Sequence, residues 1–145
     1  MMLFMTRYSF LVVLLLSGCA APAFDNTFQV SADFDDAQFA LIQDQADIMC
    51  EATAGSDCPL VTRDEAQSVI YRRSIPKDMS AVGMQAPGSI VLDTSLSGVW
   101  FSKTIRHEFG HAFGCSDHLP DGNVMAPSIG QQPDNWTDVD LACLR

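Results

Sequence analysis

The chain has 145 residues, 48% hydrophobic and 18% charged, which is the composition of one folded domain rather than a disordered chain. Eighteen Asp and Glu against eight Lys and Arg leave a net charge of -10. That balance argues against a nucleic-acid partner, which needs a basic face, and excludes polybasic attachment to anionic lipid. The three histidines, His107, His111 and His118, all fall within twelve consecutive residues.

In chain order, residues 1–18 read as an export signal: a single charge, Arg7, then the apolar run Phe10 to Leu16. That run is too short to span a bilayer as a helix of about 20 residues. Leu16-Ser17-Gly18-Cys19 resembles a bacterial lipobox, which implies lipidation of Cys19 and attachment to a membrane through the lipid. Ala20 is not the aspartate that favours inner-membrane retention, so the resemblance implies the outer membrane of a Gram-negative envelope. An ordinary cleaved signal is the alternative, with Ala21-Pro22-Ala23 as its site. Residues 19–27 form a tether, and 28–145 the folded domain. Export would place Cys50, Cys58, Cys115 and Cys143 in an oxidising compartment. Of the three possible connectivities, Cys50–Cys58 and Cys115–Cys143 are favoured, since Gly55-Ser56-Asp57 supplies a turn inside the first pair.

Within the domain, Phe28-Gln29-Val30-Ser31 alternates as a strand. Phe39, Ile42, Ala46 and Met49 have helical spacing, with Asp35 and Asp36 placed at the positive end of the helix dipole. Thr62-x-x-Glu65 has the form of a capping box and Val69-Ile70-Tyr71 that of a strand, so a short helical turn running into a strand is expected there. Gly88 to Asp93 predicts a further strand, Ser97 to Gly114 a helix, and Thr137 to Leu144 a short capped helix. The order implies an α+β fold.

The chemistry is concentrated in the second helix and the loop after it. His107 and His111 are four apart, so both imidazoles leave one face of the helix and can share a metal ion. Glu108 lies beside them, in reach of a metal-activated water as general base. At 100° per residue, Phe101, Ile105, Phe109, Ala112 and Phe113 fall about 120–240° from His107, on the opposite side. The helix can therefore pack on a sheet and still offer the histidines to a cleft. Trp100, about 20° from His107 and two turns earlier, reads as packing. Gly114 can take the left-handed conformation that ends a helix, letting a later ligand swing back.

The residues from Gly88 to Pro127, with His107-Glu108-x-x-His111-x-x-Gly114-x-x-Asp117 followed by Val124-Met125-Ala126-Pro127, resemble the metzincin zinc peptidases. The Asp117-His118 pair is similar to snapalysin-type enzymes, while His107 to Ala112 reads equally like a matrixin. The resemblance implies a twisted mixed sheet, an active-site helix, a methionine turn with Met125 as an apolar floor, and a short C-terminal helix. It implies one catalytic Zn2+ on His107, His111 and Asp117, and Glu108 as the catalytic base of a monomeric endopeptidase acting on proteins or peptides. Spacing favours Asp117 as third ligand; His118 is the alternative if a one-residue bulge comes after Gly114. Neighbouring side chains in an extended turn point to opposite sides, so one of the two is expected at the metal, not both. Two other functions fit the sequence: a catalytically silent zinc-binding envelope lipoprotein that engages a partner, and a structural lipoprotein without metal.

Overall fold

A computed structural model describes residues 26–79 and 81–144. The expected signal peptide, Cys19 and most of the tether lie outside the described residues. The fold is α+β. Its strands are β1 (Thr27–Val30), β2 (Leu60–Thr62), β3 (Ser68–Arg73), β4 (Gly83–Ala86) and β5 (Ser89–Asp93). They form one mixed sheet in the order β2-β1-β3-β5-β4. Every pairing is parallel except that of β4 with β5. Three helices complete the domain: α1 (Asp36–Ala52), α2 (Gly98–Ala112) and α3 (Asp138–Cys143).

β1 and β3 bury alternate residues because side chains leave opposite faces of a pleated sheet, while β5 is buried throughout from Ile90 to Asp93. Phe28 and Val30 of β1, Ile70 of β3, and Ile90 and Leu92 of β5 are all within the core. Against them pack Ile42, Ala46 and Met49 of α1 and Phe101, Ile105 and Phe109 of α2, the stripes expected from helical spacing. Phe28 meets Phe109 edge-on at 5.5 Å between ring centres, fixing α2 over the middle of the sheet. Asp35 caps α1 in a reciprocal box with Gln38.

Two local expectations are corrected. Thr27, the last residue of the expected tether, is already in the sheet, paired with Leu60. No helical turn forms at Thr62: its hydroxyl accepts from the Asp64 amide two residues on, closing a side-chain turn instead of a capping box. Leu60 to Thr62 is instead a three-residue edge strand, β2. It is placed by tertiary ties, namely the Cys50–Cys58 disulfide and the Asn26 amide that donates to the Cys58 carbonyl.

Both favoured disulfides are present, Cys50–Cys58 and Cys115–Cys143, as befits a protein folded in an oxidising, exported environment. Among the described residues no helix is long and apolar enough to cross a membrane.

The α3 segment locks the chain beneath α2. Asp140 is fully buried and caps α3, accepting from the Thr137 hydroxyl at 2.7 Å. The same carboxylate accepts from the backbone amides of Val124 and Met125, each at 3.0 Å. Without it, two buried N–H groups would lose their partner, at about 1–3 kcal/mol each. Arg106, also buried, spans from Gln45 of α1 to the carbonyls of Pro133 and Asp134, joining α1, α2 and the 132–134 loop.

Candidate metal centre

His107 and His111 sit one turn apart on α2, and their Nε2 atoms approach to 3.1 Å. The tautomers are set by the other ring nitrogens. His107 Nδ1 donates to the Val124 carbonyl at 2.9 Å, and His111 Nδ1 donates to the Cys115 carbonyl at 2.7 Å. Each Nε2 therefore presents a lone pair, and the two lone pairs face one another. Burial pushes the His107 imidazole down to about 4 and lowers that of His111. In both rings a hydrogen bond to a carbonyl opposes that fall. Neutral imidazole is the form that binds metal. Two nitrogens about 2.0–2.1 Å from one tetrahedral ion stand about 3.3 Å apart, so the observed spacing fits a shared metal.

The third member of the cluster is His118. Its ring centre lies 5.2 Å from that of His107 and 5.3 Å from that of His111. The ligand atoms of the three histidines all lie within 4.8 Å of one another. Asp117 is exposed and does not join this group. Of the two expected candidates for the third position, the structure gathers His118, the alternative, with His107 and His111, and leaves Asp117 outside the cluster.

The reason lies in how the chain leaves α2. Gly114, at φ 109°, turns the backbone in a conformation that a side chain would resist. Cys115 is then drawn inward: it is buried, bonded to Cys143 on α3, and its amide donates to the Gly110 carbonyl at 3.0 Å. That anchoring takes up one residue before the chain can return. Asp117 and His118 both fall in the exposed stretch after it, His118 next to Leu119, whose amide donates to the Met125 carbonyl at 2.9 Å.

Met125 is fully buried beneath α2. Its sulfur packs so closely on Gly110 that a β-carbon there would collide with it. The helix position between the two histidines is therefore held to glycine by the methionine below. Gln132 is buried alongside, its amide nitrogen 3.1 Å from His107 Nδ1 and donating to the Ala126 carbonyl at 3.0 Å.

Glu108 is buried next to the pair, and its Oε2 has no hydrogen-bond partner. Desolvation alone pushes its carboxyl up to about 8. A buried carboxylate so placed lacks the cation that would offset its burial. Together with the facing lone pairs, it fits a site built for a positive ion. The histidines and Glu108 line an open cavity of about 650 Å³, rimmed on one side by 81–85 of β4 and its approach, and on the other by Pro127 to Gln132.

Gly83 is a site residue that the sequence does not flag. A β-carbon there would lie 2.5 Å from Thr104 Cγ2 and 2.6 Å from Glu108 Oε1, so only glycine lets β4 pass this close over the carboxylate. A glycine inside a strand often marks such an approach, but a strand at 83–86 has to be recognised first. Trp100, expected to pack, is instead 51% exposed, on a groove beside the metal cavity.

The chain matches no established protein family and no curated protein.

Proposed function

We propose that this protein is an exported zinc-dependent endopeptidase. The observation that carries the reading is the pair of Nε2 lone pairs facing at 3.1 Å, with a third imidazole beside them and an unpartnered buried carboxylate, in one open cavity. Three imidazoles with room for a fourth ligand are a donor set suited to catalytic zinc. A zinc ion held by His107, His111 and His118 would supply Lewis-acid activation of a water and of the scissile carbonyl. Glu108 takes the proton of the attacking water and delivers it to the leaving amine. The Val124 and Cys115 carbonyls orient the two helix imidazoles, and Met125 supports the turn between them from below.

The free edge of β4 supports a peptide as substrate. It is the outermost strand of the sheet and borders the cavity, so its unpaired backbone groups can add an extended peptide as one more strand. With His118 as third ligand, the resemblance to metzincins moves from the snapalysin-type set toward the matrixin-like three-histidine set with one residue inserted. Lipid attachment at Cys19 to the outer membrane is part of the same proposal.

The test is a purified soluble protein lacking residues 1–19, offered a mixed peptide library. Cleavage is expected, with one zinc per chain by elemental analysis, loss of activity on chelation, and recovery on adding zinc. Zinc binding without any cleavage would favour the silent binding module instead.

Gly83→Ala should lower kcat by about 10–100-fold while zinc content stays at one per chain. The added methyl must displace the Glu108 carboxylate, and a shift of about 1 Å in a catalytic group costs on that order. Zinc content and single-substrate kinetics check this; an unchanged kcat would show that β4 yields instead.

A further inference from the structure

A second cavity, of about 530 Å³, opens beside the first and shares Val82, Pro127 and Ile129 with it. Its own walls include Leu96 and Trp100, and none of its lining residues is ionisable. Trp100 is 51% exposed and Val82 37%, an unusual amount of large apolar surface left wet beside a cleft. The edge of the indole lies over Gly130, close enough that a β-carbon there would come within 3.5 Å of it.

The position of this groove relative to the metal centre is set by α2. Trp100 and His107 are seven residues apart on one helix, about 10 Å along its axis and about 20° apart around it. The groove thus lies toward the N-terminal end of α2 from the histidines. The approach to β4 gives the direction. Val82 borders both cavities, Ala81 and Gly83 to Gln85 the metal cavity alone. The Val82 carbonyl accepts from the amide of Asp93, where β5 ends and leads into α2, and β4 runs antiparallel to β5 from there, so the strand leaves the end of the sheet nearest the groove and the start of α2. A peptide pairing antiparallel with the free edge of β4 runs the other way and leaves over Val82 and Trp100. Residues C-terminal to the scissile bond then pass over the groove. At about 3.4 Å per residue, with side chains alternating, the third of them reaches about 10 Å and faces the same way as the first.

We propose that the Trp100 groove is a specificity subsite for a large apolar side chain, such as Phe or Leu, at the third position C-terminal to the scissile bond. The inference rests on the peptidase reading above. A charged side chain would meet no opposite charge among these walls, whose polar side chains are the hydroxyls of Ser95, Ser97 and Ser128, and a small one would leave the indole wet.

The test is a set of alanine-rich peptides with Phe placed in turn at each of four positions on either side of the scissile bond, with product masses locating the cut. Phe at the third C-terminal position should raise kcat/KM about 10–100-fold over Ala. In Trp100→Ser that ratio should fall to near one. Cleavage with the preference elsewhere, on the N-terminal side, or surviving in Trp100→Ser would overturn the subsite and leave the peptidase reading standing. A second readout needs no turnover: the Trp100 indole N–H resonance of zinc-loaded Glu108→Gln protein, assigned by its loss in Trp100→Ser. It should shift with the Phe peptide and not with the alanine peptide. No shift with either, or a shift that instead tracks self-association of the protein in sedimentation, would overturn the proposal even if no peptide is cleaved.

Discussion

Glu108→Gln should keep one zinc per chain and lose about 10²–10⁴ in kcat, the typical worth of a positioned general base. The amide matches the carboxylate in shape and leaves all three imidazoles untouched, so metal content and folding should not change. What it cannot do is accept the proton of the attacking water. The carboxylate has no hydrogen-bond partner at Oε2, so the substitution breaks no network that would complicate the result. A metal-loaded variant turning over at the wild-type rate would remove Glu108 from the mechanism. The metal-free protein supplies a control that does not depend on activity. Burial raises the Glu108 carboxyl from 4.5 to about 8, so the folded chain holds its proton more tightly than the unfolded one. Its contribution to stability is present at low pH and is lost as pH rises from about 4.5 through 8. Denaturant titrations should show that loss in the wild type and not in Glu108→Gln.

His118→Ala should weaken zinc binding by more than about 100-fold, while Asp117→Ala should change it by no more than about twofold. Loss of a partner that merely orients a ligand already costs about 10–100-fold in affinity, and loss of a ligand itself should exceed that. Asp117 is an exposed residue outside the cluster, and substitutions of that kind generally stay within about 0.5 kcal/mol. Competition against a chromophoric chelator measures both variants on one scale. A larger loss for Asp117→Ala would mean that the loop after Gly114 rearranges on binding metal and that spacing was the better guide.

These two variants also mark where the sequence stops being informative. Residues within one helix have a relation set by its period. Hence His107 and His111 can be placed on one face, Glu108 beside them, and Phe101, Ile105 and Phe109 in the core, without any tertiary structure. The alternating strand at Phe28 is legible for the same reason, since a repeat of two is a local property of the backbone, and the strand at Ile90 from the Pro87-Gly88 break before it. Strand β2 is not, because three residues carry no readable period and its place depends on a disulfide and on pairing with β1.

The sequence by itself placed the histidine pair, its neighbouring carboxylate and the α+β class, from residue types at short or regular spacing, and favoured both disulfide pairs, the first from its turn and the second as the remaining two cysteines. Tertiary structure alone brings His118, and not Asp117, beside His107 and His111. The direction of a side chain in an irregular loop is set by what holds the loop's two ends: here the bond from Cys115 to Cys143 and the hydrogen bond from Leu119 to Met125. It likewise decided that Gly83 passes over Glu108 and that Trp100 borders a groove instead of packing in the core. Both depend on how closely β4 and the segment after Met125 approach α2, and spacing within one stretch of chain does not encode a distance between elements that meet only on folding.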